Sequence, residues 1–298
     1  MSDRVMWFNG ACVPWEDARV HVWDELALRG ANVFEGITAF WNAAERRHEV
    51  LAGDAHLDRL YQSALAADIP APMERAGVFA ALAEVAAHMG GMDIYLRPTF
   101  YAKRGRSTLA LDSEGAMYIG GFPYRPSAPP AVRAIVSSHR RFGGPIGAHA
   151  KSGGSYLDFR VFERERLQHG VDHVFFLNDH GHVAEADGAA ILLIRDKQVI
   201  TPSVASGVLD SITKRIVLDI ARGLGYRVEE RPVRRDELYQ AKVVLAGTLL
   251  GLRNVDTVDG HATVDAGAED TAATLAAEYG RLCRGESSLA SAYLTPLT

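Results

Sequence analysis

The sequence predicts a mixed α/β protein, of the α+β kind, with two domains. Tight turns separate short apolar runs, as at Asn9-Gly10, and this pattern favours antiparallel hairpins. Amphipathic helical segments interrupt the strands without the regular strand–helix alternation of a parallel sheet. The chain has 298 residues, which is more than a single core usually contains. These observations together predict the fold class and the two domains.

The first 122 residues contain a hairpin, two helices and two longer strands. Asp54 stands where it can cap the first helix, because its side chain can accept a backbone hydrogen bond there. The second helix is expected to end at Gly90-Gly91, since glycine is common just after a last helical turn. The predicted segments are strands 4–8 and 11–15, helices 54–69 and 75–90, and strands 93–102 and 116–124.

A proline-rich stretch at 123–133 has few large apolar residues and is typical of a stiff interdomain linker. We therefore expect an N-terminal domain at 1–122 and a larger C-terminal domain at 134–298. The predicted C-terminal segments are strand 131–138, helix 155–169, strands 172–179, 181–186 and 189–196, a helix and strand within 211–233, a short helix and strand within 236–248, and an alanine-rich helix from 267 with a loose end.

Composition narrows the function classes. Hydrophobic residues make up 48% of the chain and the net charge is −5, so neither nucleic acid nor an anionic membrane is an expected partner. No apolar run approaches the length of about 18 residues that suggests a membrane span, and the start of the chain does not resemble a signal peptide. Cys12 and Cys283 are far apart, which fits two buried thiols in a reducing cytoplasm.

Lys151 stands in the segment G-A-H-A-K-S-G-G-S-Y, where small residues surround it on both sides. A lysine amine becomes a nucleophile or a Schiff-base partner when it is held and partly desolvated. Gly153 and Gly154 would let the backbone approach a flat ligand closely. The alternative is a solvated lysine in a surface loop, and this fragment alone leaves both open.

Two segments of the second half suggest a bound anion and a bound ring. Glu185 lies between two apolar strands, so it is either a surface turn carboxylate or the partner of a protonated ring nitrogen. Ser211 can cap a helix whose first backbone NH groups, at Ile212 and Thr213, would then form an anion site. An ordinary capped helix is the alternative.

Further polar side chains stand on predicted helices and strands. Arg59 on a helix could hold a phosphate through its planar guanidinium. Thr248 follows Gly247 at the end of a strand and offers a hydroxyl and backbone NH groups. Tyr95 and Arg97 share a strand and either line a site or form a half-exposed sheet face. His180 and His182 flank a turn without a third ligand in view, so a metal site is not expected.

These motifs, taken in order, resemble the fold-type IV pyridoxal-phosphate enzymes, and most closely the branched-chain amino acid aminotransferases. The resemblance extends from about Trp7 to about Val258. It rests on F-N-G, V-F-E-G-I, H-L-D-R-L, Y-L-R-P, A-K-S-G-G-S-Y-L, A-E-A-D-G, S-I-T-K and a strand that ends in G-T. The A-K-x-G-G-x-Y-L block is fairly specific, and the ordered set is strong.

The resemblance implies a two-domain enzyme with its active site between the domains, a C-terminal domain that binds pyridoxal 5'-phosphate, and a homodimer or larger assembly in the cytoplasm. Lys151 would carry the cofactor as a Schiff base and move the substrate proton in a ping-pong transamination between an amino acid and a 2-oxo acid. Glu185 would keep the pyridine nitrogen protonated. The other implied cofactor contacts are Arg59, Tyr156, Leu209, Ile212, Thr213 and Thr248, and the implied substrate contacts are Phe34, Tyr95, Arg97, Arg29, Thr38 and Leu249.

The chain departs from the branched-chain pattern at positions expected to contact substrate. Arg29 replaces a tyrosine, Thr38 replaces an arginine, and Leu249 replaces an alanine. Arg29 and Arg97 could together hold a substrate carboxylate, since a guanidinium binds that group through two hydrogen bonds, or Arg29 could simply pair with Glu25. A D-amino acid transaminase, an (R)-amine transaminase and an aminodeoxychorismate lyase therefore remain alternatives.

A different class of alternative is a catalytically silent protein that only binds the cofactor. The phosphate contacts would be sufficient for binding alone. The sequence also retains Lys151, Tyr156 and Glu185, which the family uses for chemistry, and this favours an enzyme.

Overall fold

The computed structural model describes residues 4–106, 112–125, 132–141, 146–147, 150–264 and 269–297. The chain divides into two compact units. The first unit comprises residues 1–125, 150–156 and 283–298, and the second comprises 126–149 and 157–282. Most of the predicted linker lies outside the described residues, so the division into domains at 1–122, 123–133 and 134–298 stays a prediction.

The first unit is built on an eight-stranded sheet. Its strands are β1 (Val5–Phe8), β2 (Ala11–Val13), β3 (Asn32–Phe34), β4 (Ile37–Asn42), β5 (Arg47–Leu51), β6 (Ile94–Ala102), β7 (Gly115–Pro123) and β18 (Leu294–Leu297). Their order is β18-β5-β4-β6-β7-β1-β2, with β3 beside β6, and the pairings are antiparallel. The expected hairpin is confirmed, with Asn9 and Gly10 at positive φ between β1 and β2.

The helices of the first unit are α1 (Glu25–Arg29), α2 (Gly53–Ala66), α3 (Arg75–Met89) and α7 (Ala290–Tyr293). Leu57 of α2 and Leu82 of α3 are fully buried and pack in one core with Leu96 of β6. Because side chains alternate along a strand, Tyr95 and Arg97 project from the opposite face of the sheet. The sheet thus has one face that packs on helices and another that carries the predicted substrate contacts.

The second unit is built on a ten-stranded mixed sheet. Its strands are β8 (Val132–Arg140), β9 (His173–Leu177), β10 (His182–Ala186), β11 (Ala190–Arg195), β12 (Gln198–Pro202), β13 (Arg227–Arg231), β14 (Val233–Arg234), β15 (Lys242–Gly247), β16 (Gly251–Val258) and β17 (His261–Ala262). The order is β13-β12-β11-β15-β16-β8-β9-β10-β14, with β17 beside β16. The pairs β12–β13, β8–β16 and β8–β9 are parallel, and the rest are antiparallel.

The helices of the second unit are α4 (Phe159–His169), α5 (Ile212–Gly223) and α6 (Glu269–Cys283). Ser211 caps α5 as predicted, since its hydroxyl accepts a hydrogen bond from the Lys214 backbone NH. Apolar strand residues such as Ile191 and Val243 are fully buried in the core of this sheet. No helix within the described ranges is long and apolar enough to cross a membrane.

Three local predictions are wrong. The residue that caps α2 is Ala52, in the left-handed conformation and without a side-chain hydrogen bond, so Asp54 lies inside the first turn. The helix predicted at 155–169 begins at Phe159, after a short 3₁₀ turn at Gly154–Tyr156. The tail predicted to be loose forms α7 and β18 instead, because β18 pairs with the outer side of β5 and completes the first sheet.

Candidate active site

The segment around Lys151 runs beside β3 and is fixed by backbone hydrogen bonds. The Phe34 backbone NH donates to the Lys151 carbonyl at 3.0 Å, and the Gly153 NH donates to the Asn32 carbonyl at 2.9 Å. Val33 and Ser152 form an antiparallel bridge between these two contacts. The position of Lys151 is therefore set by a strand of the first sheet rather than by a free loop.

The structure gives a reason for a glycine at position 153 that the sequence did not suggest, namely a close contact with Asn32. A Cβ atom at position 153 would lie 2.3 Å from the Asn32 side-chain nitrogen, and this separation is far below van der Waals contact. The glycine thus leaves room for the Asn32 side chain within the chain itself. For Gly154 a Cβ would meet nothing within 4 Å among the described residues.

The Lys151 amine lies in a cluster of aromatic side chains. Lys151 Nζ donates a hydrogen bond to the Tyr156 hydroxyl at 2.7 Å. The rings of Phe34 and Tyr156 meet edge-to-face with centroids 4.8 Å apart, and Lys151 Nζ lies 5.0 Å from each centroid. The Tyr156 hydroxyl fixes the direction of the amine. A lysine held in this way is prepared for covalent chemistry.

Arg97 and Tyr95 extend this cluster along β6. The guanidinium carbon of Arg97 lies 3.7 Å from the centre of the Phe34 ring, a stacking contact that fixes the plane of the guanidinium. Burial raises the pKa of the Tyr95 hydroxyl, so the hydroxyl stays protonated at neutral pH. A Cβ at Gly36 would lie 2.5 Å from that hydroxyl oxygen, so the V-F-E-G-I glycine makes room for Tyr95.

Thr38 lies directly opposite Tyr95 in the β4–β6 register. It is 1% exposed, and its hydroxyl has no hydrogen-bond partner among the residues that the structure describes. The sequence placed Thr38 among the substrate contacts. Its hydroxyl is buried within the chain itself, and the side chain shares the sheet face of Tyr95.

Arg59 is already paired inside the first unit. Its Nε and Nη2 donate to the two carboxylate oxygens of Glu35 at 2.6 and 2.8 Å, and His56 Nδ1 contacts the second oxygen at 2.7 Å. Burial alone would raise the pKa of Glu35, but the Arg59 guanidinium outweighs it and holds that pKa well below its usual range. Burial also lowers the pKa of His56, so His56 is neutral.

Arg29 pairs with Glu25 one turn earlier on α1, which is the simpler of the two expectations for this residue. The Arg29 side chain is 48% exposed, whereas that of Glu25 is 12% exposed. The guanidinium is therefore held at the end of α1 while it still reaches the surface.

In the second unit, Glu185 is held on both of its carboxylate oxygens. Arg141 Nε donates to Oε1 at 2.7 Å, and the Leu209 backbone NH donates to Oε2 at 3.1 Å. The Arg141 and Glu185 side chains are 11% and 14% exposed. Glu185 is therefore not the solvated turn carboxylate that was one of the two expectations, and its orientation is fixed by a cation and a backbone NH.

The remaining predicted cofactor contacts lie at the start of α5 and just after the end of β15. Ile212 and Thr213 begin α5, and no hydrogen bond from either backbone NH to another described residue is seen. Thr248 follows the last residue of β15, while Leu249 next to it is 56% exposed. A Cβ at Gly247 would lie 3.1 Å from the Gly188 carbonyl oxygen, so this strand end passes close to the turn after Glu185.

Sequence reasoning missed four residues that the geometry brings into contact with predicted ones. They are Glu35, His56, Ser63 and Arg141. Glu35 carried a signal, because a carboxylate inside the apolar run V-F-E-G-I needs a partner. His56 and Ser63 share a helical stripe with Arg59, whereas Arg141 carried no signal in the local sequence. No cluster of metal-ligating side chains occurs within the described ranges.

Comparison with known proteins identifies the family of this chain. A family model described as amino-transferase class IV matches residues 32–258. The probable branched-chain-amino-acid aminotransferase of Aquifex aeolicus is 30% identical over 297 residues, which covers 97% of this chain and 96% of the relative.

Two solved structures extend the likeness to the fold. The branched-chain aminotransferase of Thermoproteus uzoniensis, solved with norvaline, superposes with a TM-score of 0.91 at 28% identity over 99% of both chains. The branched-chain amino acid aminotransferase of Thermobaculum terrenum, solved in its PLP form, gives a TM-score of 0.89 at 29% identity over 99% of this chain and 98% of that one. The mixed α/β fold-type IV expectation is confirmed, and the chain belongs to the class IV amino-transferase family.

Proposed function

We propose that this chain is a pyridoxal-phosphate-dependent transaminase of the branched-chain type, which moves an amino group between an amino acid and a 2-oxo acid. The observation that carries the proposal is the Lys151 amine, held 2.7 Å from the Tyr156 hydroxyl and 5.0 Å from the ring centres of Phe34 and Tyr156. Membership of the amino-transferase family supports the same activity, and the Thermobaculum terrenum relative was solved in its PLP form.

The side chains present fit this cofactor. Lys151 would form the covalent link, and the Tyr156 hydroxyl would contact the phenolic oxygen of the cofactor. The Ile212 and Thr213 NH groups begin α5 without an acceptor among the described residues, which suits a phosphate. We propose that the phosphate contacts are Arg59, Ile212, Thr213 and Thr248, and that Leu209 packs on the ring.

Glu185 has the charge and the rigidity needed beside a protonated ring nitrogen. Its carboxylate is oriented by Arg141 and the Leu209 NH, so little reorganisation is needed when a cation approaches. When bound, pyridoxal phosphate supplies an aldehyde that links to amines and a ring that withdraws electrons from the substrate carbon.

Lys151 performs the proton transfers in this proposal. Its free Nζ would accept the proton that the substrate carbon loses, and would later donate that proton again. The Tyr156 hydroxyl holds Nζ in a fixed direction, and the Phe34 ring packs edge-to-face on the Tyr156 ring that carries this hydroxyl. The first amino acid leaves as an oxo acid, and a second oxo acid then receives the amino group in a ping-pong sequence.

For the substrate we propose a branched-chain amino acid, since the curated relatives are named for that activity. Phe34, Tyr95, Thr38 and Leu249 are the proposed contacts for its side chain. Arg97 is the proposed carboxylate contact, because its guanidinium is held flat against Phe34 and can present two parallel donors. We propose that Arg29 assists Arg97 when its guanidinium separates from Glu25.

We also propose that two copies of the chain associate. Val22 and Trp23, in the segment between β2 and α1, are 75% and 54% exposed, and Leu28 on α1 is 40% exposed. Large apolar side chains grouped in this way are costly in water and suit contact with a second copy. Sedimentation equilibrium of the wild type and of Trp23→Glu tests it, and we expect the substitution to weaken association. The proposed cytoplasmic location rests on the two isolated cysteines.

A donor panel tests the activity. The purified protein, loaded with pyridoxal phosphate, is given L-leucine, L-valine, D-alanine, D-glutamate or (R)-phenylethylamine, with pyruvate or 2-oxoglutarate as acceptor. We expect turnover with L-leucine and L-valine. Activity with the D donors alone would overturn the branched-chain assignment and leave transamination standing, while pyruvate formation without an acceptor would indicate a lyase.

A further inference from the structure

Ser63 of α2 contacts the backbone of Lys151. Its hydroxyl oxygen accepts a hydrogen bond from the Lys151 backbone NH at 3.0 Å. Ser63 is 1% exposed, so no water competes for that NH. A buried NH without an acceptor is unfavourable, and this contact therefore restricts where the Lys151 peptide can lie.

The backbone carbonyl of Lys151 is held by β3. The Lys151 carbonyl accepts from the Phe34 NH at 3.0 Å, so the NH and the carbonyl of Lys151 are both hydrogen-bonded to other parts of the first unit. The residue after Phe34 is Glu35, which Arg59 and His56 bind through its carboxylate.

These contacts form a closed ring of interactions. His56, Arg59 and Ser63 are spaced by three and four residues, and so they lie on one face of α2. That face binds Glu35, which directly follows β3, and it also binds the Lys151 backbone, which itself pairs with β3. A shift of α2 along its axis would therefore disturb Lys151 and the Glu35 ion pair together.

We propose that Ser63 is a positioning residue for Lys151, and that it fixes the distance between Lys151 Nζ and the Tyr156 hydroxyl. The role rests on the proposed function. Ser63 touches neither substrate nor cofactor in this role, since it acts through the backbone of the lysine. Misplacing a reacting group by about 1 Å can reduce the rate about 100-fold, so loss of this contact should affect turnover more than substrate binding.

The central test compares Ser63→Ala with Ser63→Thr. Alanine removes the acceptor, and threonine retains a hydroxyl. In the holoenzyme we expect Ser63→Ala to reduce kcat by about tenfold or more, with KM within about twofold of wild type. The pH midpoint of the visible absorbance of the bound cofactor should also move, and Ser63→Thr should restore both. Wild-type kcat and absorbance in Ser63→Ala would overturn the proposal.

A control separates positioning from helix stability. Alanine is a better helix former than serine, so a purely structural role predicts that Ser63→Ala does not weaken α2. Ala64→Gly weakens the same helix at a buried neighbour that makes no hydrogen bond to Lys151. We expect Ala64→Gly to lower the melting temperature and leave kcat largely unchanged. An equal loss of kcat in both variants would overturn the proposal.

Hydrogen exchange keeps the inference testable whatever the activity of the protein. In the full chain without cofactor, the amide of Lys151 should exchange slowly in the wild type and at least about tenfold faster in Ser63→Ala. Equal exchange in the two proteins would overturn the positioning role even if transamination is confirmed. Slow exchange in the wild type, faster exchange in Ser63→Ala and no amino transfer would instead contradict the proposed function alone.

Discussion

Arg141 donates its Nε hydrogen to Glu185 at 2.7 Å, and neither side chain is more than 14% exposed. This pair joins the end of β8 to β10 within the second sheet. It explains why a carboxylate can lie between apolar strands, since the guanidinium compensates the charge that burial would otherwise penalise. The same pair leaves Glu185 oriented before any ligand is bound.

Arg141→Met should therefore destabilise the protein. The substitution retains a long apolar side chain but, of the two donors described above, leaves the Glu185 carboxylate only the Leu209 NH. We expect the free energy of unfolding to fall by about 2 kcal/mol, as for a largely buried charge that loses its partner. Urea denaturation measures it. Arg140→Met, at the exposed neighbouring position, is the control, and an equal loss in both variants would contradict this account.

The stability of the protein should decline as the pH falls below about 6.5. Burial lowers the pKa of His56 below its usual value of 6.5, so the unfolded chain takes up a proton that the folded chain resists. Arg59 holds the pKa of Glu35 below its usual value of 4.5, so the stability that Glu35 contributes is present above that pH and is lost as the pH falls further. His56 and Glu35 therefore both reduce the stability of the protein as the pH falls.

The variant Glu35→Gln isolates the contribution of Glu35 to the loss of stability at low pH. Urea denaturation between pH 7.5 and 3.5 should show lower stability for the variant at neutral pH, by about 3 kcal/mol, because the buried Arg59 loses its ionic partner. Below about pH 4.5 its stability should fall less steeply than that of the wild type. Glu114→Gln, at a side chain that is 84% exposed, should retain the wild-type slope, and an unchanged slope in Glu35→Gln would rule out the assigned ion pair.

Gly153→Ala tests the close approach of the lysine segment to Asn32. The added Cβ would lie 2.3 Å from the Asn32 side chain, so either the segment or that side chain must move. We expect a loss of about 2 kcal/mol in stability, typical of overpacking. In an Asn32→Ala background the same substitution should cost much less, because the clashing atoms are gone. Additive losses in the double variant would contradict the assigned contact.

Arg29→Ala tests the proposed carboxylate contact. Since the Arg29–Glu25 pair lies at the surface, its loss should change the stability by less than about 0.5 kcal/mol. If Arg29 assists Arg97, KM for the oxo acid should rise in Arg29→Ala and should not rise in Glu25→Gln, which releases Arg29 from its partner. An unchanged KM in Arg29→Ala would remove this residue from the substrate contacts.

The parts of the fold that follow local rules could be predicted from the sequence. The Asn9-Gly10 hairpin, the end of α3 at Gly90 and the Ser211 cap each depend on the preferences of one or two residues. The start of α2 could not be predicted, because Ala52 adopts a left-handed conformation that its residue type does not favour. The strand β18 depends on β5, which lies more than 240 residues earlier, and no local pattern reveals such a pairing.

For the candidate site, too, some residues could be predicted from the sequence and others could not. Lys151, Tyr156 and Glu185 could be predicted because they stand in recognisable motifs, and the structure places Lys151 Nζ 2.7 Å from the Tyr156 hydroxyl. The groups that hold them could not be predicted. Ser63 is 88 residues from Lys151, and Arg141 is 44 residues from Glu185. Such long-range hydrogen bonds depend on the whole fold.

The central claim is that Lys151 carries the cofactor, and borohydride reduction tests it most directly. The purified protein is loaded with pyridoxal phosphate, reduced, digested and analysed by mass spectrometry. The account predicts a pyridoxyl-phosphate adduct on the peptide that contains Lys151, and no adduct on the corresponding peptide of Lys151→Arg. An adduct at another lysine, or none in the loaded wild type, would contradict the account.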